Sequence, residues 1–121
     1  MMTVEMLETY GDAWNRHDID AIMAMMTDDC VFMTGGGAEV EGARYEGAAE
    51  VRERFIEVWT QIPDVLFLNP QHFVSGNRGL SQWVLKGQRS NGKPIEVAGL
   101  DLFTFRGDRI AVKDSYLKNR R

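Results

Sequence analysis

The stretch GLDLFTFRGDRIAVKDSY, residues 99–116, decides the fold of this chain. Apolar residues recur on both sides of Gly107-Asp108, a pair typical of a tight turn, so the stretch predicts two antiparallel strands. The first strand carries one acid, Asp101, among apolar neighbours. A carboxylate on a half-buried strand loses hydration and needs a partner or a function that offsets the cost. Asp101 is therefore the first candidate functional residue.

The length and charge of the chain limit its architecture and its partners. With 121 residues it can form one domain with a buried core, but not separate cofactor and substrate domains. The 18 acidic and 14 basic residues give a net charge of -4, and the basic residues are scattered except for Lys118, Arg120 and Arg121. We interpret these three as a solvated C-terminus, and we do not expect nucleic acid as a partner.

Few residues suit a metal, and no segment suits a membrane. Cys30 is the only cysteine, so neither an intramolecular disulfide nor a cysteine-based metal site is expected. We expect His17 to be structural and His72 to be a surface or edge residue far from it, which leaves no metal site. No apolar run approaches the roughly twenty residues that a membrane span needs, and no signal peptide is recognisable. We therefore expect a cytoplasmic protein without cofactor, metal or membrane contact.

Helical spacing of apolar residues predicts three helices in the first half of the chain. Thr3 caps the first helix, which ends near residues 15–17, and Asp18 caps a shorter second helix. A third helix is predicted over 48–61, followed by Pro63 as a stop signal. The apolar face of the second helix is predicted to contain Ile19, Ile22, Met23 and Met26.

The rest of the chain is predicted to be strands. A buried strand over 30–33 ends at Gly35–Gly37, which we interpret as a flexible loop, since no Gly-Lys-Ser/Thr follows as in a phosphate-binding loop. Helices first and strands afterwards predict an α+β domain in which the helices cover one face of the sheet. Turn residues separate the later segments, which predict an antiparallel meander over 65–68, 71–75, 80–89, 94–105 and 109–117.

The later strands carry more apolar residues than one cavity can accept. Because strand side chains alternate between the two faces, Val84, Leu85, Leu100 and Leu102 cannot all point inward. Some of this apolar surface is then expected to face a second copy of the chain. We therefore expect a homodimer formed through the sheet face opposite the helices.

Three motifs carry a resemblance to a known family. They are Tyr10-x-x-x-Trp14-Asn15-x-x-Asp18, then Thr27-Asp28-Asp29, and Asp101-x-Phe103 followed by Gly107-Asp108-Arg109-Ile110. In their order and spacing the chain resembles the SnoaL-like and ketosteroid-isomerase-like branch of the nuclear transport factor 2-like superfamily. The resemblance implies one SnoaL-like domain over residues 1–121 with a cystatin-like cone, in which three N-terminal helices pack on a strongly bent antiparallel sheet around a deep pocket.

The resemblance also implies roles for individual residues. Tyr10 falls where ketosteroid isomerases carry the tyrosine that donates to the developing oxyanion, and Asp101 falls where they carry a protonated aspartic acid. Their catalytic base is replaced by Thr34, which cannot accept a proton near neutral pH. In SnoaL-like cyclases an aspartate at the position of Asp101 is the acid-base residue. Asp101 can therefore be a donor or a base.

The direction of the last strand's side chains affects this choice. The turn around Gly107 can contain two or three residues, and the two lengths place opposite sets of side chains of the last strand toward the pocket. The family alignment from Ile110 places Lys113, Ser115 and Leu117 toward the pocket. Lys113 would then lie near Asp101 and hold it ionised, which favours a base or ion-pair role over a neutral donor role.

These inferences predict a cofactor-independent acid-base enzyme of the isomerase, cyclase or related lyase or hydrolase type, acting on an apolar carbonyl-containing metabolite. It is not expected to be a standard ketosteroid isomerase. The alternative is a non-catalytic ligand-binding or dimerisation module, in which Asp101 is only an ion-pair partner of Lys113 or an acceptor for Tyr10. The predicted catalytic residues are Asp101 and Tyr10, and the predicted substrate-binding residues are Trp14, Phe32, Thr34, Phe55, Trp59, Phe103, Lys113 and Ser115.

Overall fold

The computed structural model describes residues 1–120, so Arg121 of the predicted basic C-terminus lies outside the described residues. Helices lie in the first half and a curved, unclosed sheet fills the rest, which confirms the predicted α+β class. The elements are α1 (Val4–Asn15), α2 (Ile19–Ala24), β1 (Met26–Met33), β2 (Arg44–Glu46), α3 (Ala48–Gln61), β3 (Leu66–Ser75), β4 (Arg78–Gln88), β5 (Pro94–Arg106) and β6 (Arg109–Leu117).

The first two helices begin at the predicted caps. The Thr3 hydroxyl accepts from the Met6 N–H at 3.1 Å, and Asp18 Oδ1 accepts from the Ala21 N–H at 3.1 Å. The prediction that Met26 belongs to α2 is wrong, because Met26 starts β1 and is 2% exposed. Its backbone pairs in parallel with Ile110 of β6, and this tertiary pairing outweighs the local helical spacing.

The sheet is mixed rather than wholly antiparallel. Its strand order is β2-β1-β6-β5-β4-β3, and the predicted meander from β3 to β6 is confirmed as a series of antiparallel pairs. β1 instead pairs in parallel with β6, because the chain crosses from one to the other through α3 and four further strands. The short β2, which has only three residues, was not predicted.

A bulge bends β3 where the sequence predicts a break. The chain continues as one strand through Asn69-Pro70, so the predicted separation into 65–68 and 71–75 is wrong. Asn69 has φ 53°, and Asn69 and Pro70 together lie opposite one residue of β4, between the pairs Leu68–Val84 and Gln71–Gln82. The extra residue reverses which face each following side chain of β3 occupies.

The main core lies between the helices and the inner face of the sheet. Fully buried residues from α1, α3 and β5 meet there, among them Leu7, Phe55 and Phe103. Leu85 is one of the four residues that were not all expected to point inward. Its side chain does point inward, in a second cluster with Trp83 and Val97. No helix within residues 1–120 is long and apolar enough to cross a membrane.

Gly99 allows an indole ring to lie flat against the bend of β5. A Cβ atom at this position would lie 2.7 Å from the Trp83 ring and 2.5 Å from the Tyr116 carbonyl oxygen. Any larger residue would therefore displace Trp83. Since Trp83 reaches toward Asp101, Gly99 helps to position the candidate site.

Candidate functional site

A buried ion pair joins Asp101 of β5 to Lys113 of β6. Lys113 Nζ lies 2.6 Å from Asp101 Oδ1, and the two side chains are 6% and 7% exposed. Ser115 Oγ donates to the same oxygen at 2.6 Å, and Trp83 Nε1 donates to Oδ2 at 3.2 Å. Lys113 and Ser115 therefore point inward with Asp101, which confirms the predicted parity of β6.

Three donors converge on the Asp101 carboxylate. An ammonium, a hydroxyl and an indole N–H all stabilise a carboxylate and oppose its protonated form. The neutral oxyanion donor that ketosteroid isomerases carry at this position is therefore disfavoured here. Oδ2 accepts a single bond of 3.2 Å, which leaves it with capacity to accept a proton.

Aromatic rings surround the Lys113 ammonium. Nζ lies 5.2 Å from the Trp14 ring centroid, 5.5 Å from that of Phe32 and 5.9 Å from that of Phe55. Such contacts stabilise a buried cation. Of its three N–H donors, one binds Asp101 and one reaches Ser115 Oγ at 3.4 Å. The third has no hydrogen-bond acceptor within residues 1–120 and is available to a ligand.

Two cavities meet at this ion pair. The first has a volume of about 290 Å³ and the second about 360 Å³. Their shared wall consists of Trp14, Phe67, Trp83 and Lys113. Both volumes suit a small ligand, and the walls combine aromatic surface with a few polar groups, as is typical of small-molecule sites.

The structure divides the predicted site residues between the two cavities. Tyr10, Asp101 and Phe103 line the first, Phe32, Thr34 and Ser115 line the second, and Trp14 and Lys113 line both.

Phe55 and Trp59 line neither cavity, contrary to the prediction. Both lie on the inner side of α3 and pack behind Trp14, at ring-centroid distances of 4.8 and 5.3 Å. Trp59 also stacks on His17 at 4.9 Å. The two side chains therefore support Trp14, which lines both cavities.

The Tyr10 ring faces the first cavity while its hydroxyl points into the core. The hydroxyl donates to Met26 Sδ at 3.5 Å, and the ring packs edge-to-face on Phe103 at 5.9 Å. Burial raises the pKa of Tyr10 well above its ordinary value, and the charge of Asp101 adds to this effect. The hydroxyl therefore keeps its proton. Since a thioether is a weak acceptor, a stronger acceptor can compete for that proton.

Thr34 organises the rim of the second cavity. Its hydroxyl donates to the Gly36 carbonyl at 2.6 Å and accepts from the Ala43 N–H at 3.0 Å. These bonds fasten the glycine loop to the end of β1. Thr34, at the position where ketosteroid isomerases carry a base, therefore uses its hydroxyl to hold the glycine loop in place.

His72 and Ser81 are cavity residues that sequence reasoning missed. His72 pairs in register with Ser81, Ser81 with Asp101, and Asp101 with Ser115, which makes a polar row across four strands. His72 Nδ1 lies 2.7 Å from Ser81 Oγ, and both residues line the first cavity. Burial lowers the pKa of His72. His72 lies on the edge strand β3, as predicted, but the bulge at Asn69 turns its half-buried side chain toward the cavity, which the sequence did not predict.

A family model described as a SnoaL-like domain matches residues 7–113. A Pseudomonas putida structure with the provisional name polyketide cyclase is similar, with 19% identity, a TM-score of 0.84 and coverage of 98% of this chain and 92% of that one. A Xanthomonas campestris protein of unknown function with a cystatin-like fold has 17% identity, a TM-score of 0.85 and the same coverage, 98% and 92%. A Catenulispora acidiphila protein with a ketosteroid-isomerase-like fold, in complex with trimethylamine, has 18% identity and a TM-score of 0.81, covering 95% and 86%. No curated protein matches the sequence at a significant level.

Proposed function

The chain belongs to the SnoaL-like family, in the ketosteroid-isomerase-like branch of the nuclear transport factor 2-like superfamily, and from this premise we propose that it binds a small, mostly apolar, carbonyl-containing molecule and performs acid-base chemistry on it without a cofactor. The observation that carries the proposal is the buried Lys113–Asp101 pair at the junction of two cavities. A buried ion pair adds little net stability over well-packed apolar residues. Its position beside open cavities therefore supports a chemical role.

The proposed step is proton abstraction next to a carbonyl group. The carbonyl oxygen of the substrate accepts a hydrogen bond from the free N–H of Lys113. Asp101 Oδ2 takes a proton from the adjacent carbon, and the electron pair of the broken C–H bond moves toward the oxygen, where the ammonium stabilises the enolate. When a C=C bond is conjugated with the enolate, return of the proton from Asp101 to the γ-carbon isomerises the substrate. Attack of the enolate carbon on a second carbonyl instead closes a ring, and the alkoxide formed there takes the proton from Asp101.

The surrounding residues support this chemistry. Trp14 and Phe103 provide apolar walls in the first cavity, and Phe32 does so in the second. Tyr10 is the proposed second donor to the substrate oxygen, after its hydroxyl turns from Met26. A polyketide carries repeated carbonyl groups, so the provisional name of the Pseudomonas putida structure is compatible with such a substrate.

A specific observation favours a second candidate, a non-catalytic ligand-binding module of the same fold. Asp101 accepts three hydrogen bonds, and the Tyr10 hydroxyl is directed at Met26. In such a module the pair would only orient a bound ligand. This fold hosts enzymes and binding proteins alike, so the choice rests on the site and not on the fold.

Deuterium exchange distinguishes the two candidates without knowledge of the substrate. The protein is incubated in D₂O with a panel of ketones such as β-tetralone, and loss of the signal from protons next to the carbonyl is followed by NMR. Exchange faster than in buffer supports the enzyme. Binding of a ketone without accelerated exchange supports the module.

We also propose that the chain forms a homodimer through the outer face of the sheet. Leu80 pairs in register with Leu102, and Leu100 with Tyr116, so these side chains form one apolar patch on the face opposite the helices. Tyr116 and the nearby Phe73 are 52% and 56% exposed in the single chain. Burial of such a patch favours association of two copies.

A further inference from the structure

The second cavity is lined by two arginines whose guanidinium groups have no ion-pair partner within residues 1–120. They are Arg54 of α3 and Arg89, which follows β4. Four other arginines, Arg16, Arg44, Arg52 and Arg106, each pair with a carboxylate. Within residues 1–120 neither Arg54 nor Arg89 lies within 4.0 Å of a carboxylate oxygen.

Arg54 has an unused hydrogen-bond donor and a restrained guanidinium group. Its Nε atom is buried and has no hydrogen-bond partner within residues 1–120. Its guanidinium lies 5.1 Å from the ring centroid of Tyr45, which restrains the orientation of the planar donor group. A buried N–H without an acceptor is unfavourable, so an oxygen ligand that reaches it gains this otherwise missing bond.

The charges that line the two cavities differ in sign. Glu57 is the carboxylate among the described residues of the second cavity, and it accepts from Gln61 Nε2 at 3.2 Å rather than from Arg54. Lys113 contributes little net charge, because Asp101 compensates it. The first cavity is instead lined by the acids Glu8 and Asp12, in addition to the compensated Asp101–Lys113 pair. The second cavity therefore favours an anion and the first does not.

We propose that the second cavity selects ligands that carry a carboxylate on an apolar body, with the carboxylate on Arg54 and with Arg89 attracting it at the rim. Phe32, Trp83 and Leu85 line the same cavity and would contact the apolar body. A ligand held in this way directs its other end toward Lys113 at the junction with the first cavity. The substrate class is then an apolar keto acid, a statement that rests on the proposed function in placing the carbonyl at Lys113.

The test compares two probes of the same shape, β-benzoylpropionate and its uncharged amide, by isothermal titration calorimetry. Since a hydrogen bond to a charged group is stronger than one between neutral groups, the wild-type protein should bind the acid at least about tenfold more tightly than the amide. Arg54→Gln should remove this preference by weakening the binding of the acid more than that of the amide, and Arg54→Lys should keep part of it. Arg52→Gln is the matched control, because Arg52 lies on the same helix but pairs with Asp20.

The outcomes separate this inference from the proposed function. Equal affinity for acid and amide, a preference that survives in Arg54→Gln, or no binding of either probe would overturn the carboxylate site. The protons next to the ketone of β-benzoylpropionate also report exchange in D₂O. A preference for the acid without exchange supports the carboxylate site and contradicts catalysis. Exchange without a preference for the acid supports catalysis and contradicts the carboxylate site.

Discussion

Lys113 Nζ and Asp101 Oδ1 lie 2.6 Å apart, and both side chains are buried. Water therefore cannot solvate either charge when its partner is removed. Lys113→Met leaves a buried carboxylate unpaired and should lower the free energy of unfolding by about 3–5 kcal/mol. Combining it with Asp101→Leu removes both charges and should restore most of the loss. Urea denaturation of the two variants measures both effects. A double variant as unstable as the single one would show that the pair is retained for stability.

Alkaline pH should destabilise the fold through Tyr10. Because burial raises its pKa above the ordinary value of 10.0, the folded state holds the phenol proton more tightly than the unfolded state. The stabilisation is complete below that ordinary value and is lost as pH rises above it. Tyr10→Phe should flatten this loss, and Tyr45→Phe serves as the control. Tyrosinate absorbance from Tyr10 that develops before unfolding would contradict the prediction.

Mild acid should destabilise the fold through His72. Burial lowers its pKa below 6.5, against the opposing charges of Glu8 and Asp12, so the unfolded state binds the proton more readily. The contribution of His72 to stability is complete when the pH is above its pKa in the unfolded state, and it is lost as the pH falls through its pKa in the folded state. His72→Gln should reduce the difference in unfolding free energy between about pH 8 and about pH 5. An unchanged difference would show that His72 does not contribute.

The outer sheet face should control the oligomeric state. Leu102→Glu places a charge in the apolar patch and should convert a dimer into a monomer, as measured by light scattering at micromolar concentration. Val40→Glu is the control, because Val40 is fully exposed in the loop before β2. A monomeric mass for the wild-type protein would contradict the dimer proposal.

Bulges explain both what the sequence predicted about the site and what it missed. On β6, plain alternation from the buried Ile110 would turn Asp114 inward, but a bulge between Ile110 and Val112 turns Lys113 inward instead. The family alignment includes this irregularity, so the ion pair with Asp101 could be predicted. On β3 no such guide was available, and the bulge at Asn69 that turns His72 inward leaves no trace in the apolar pattern.

Local patterns predicted the helices well because caps and apolar spacing act within a few residues. α3 spans the predicted residues, and α1 ends where expected. The carboxylate site could not be predicted, because it depends on which arginines lack partners. Arg52 and Arg54 look equivalent in the sequence, yet one pairs with Asp20 and the other faces a cavity.

The most direct test of the central claim is the rate of deuterium exchange next to a bound ketone in wild-type protein, Asp101→Asn and Asp114→Asn. Asp114 is the matched control, because it follows Lys113 on the same strand but binds the exposed Tyr116 hydroxyl at 3.0 Å. A positioned base typically contributes at least roughly 10²-fold, so Asp101→Asn should lose about that factor while Asp114→Asn keeps the wild-type rate. Equal rates in all three proteins, with circular dichroism showing all three folded, would contradict the account.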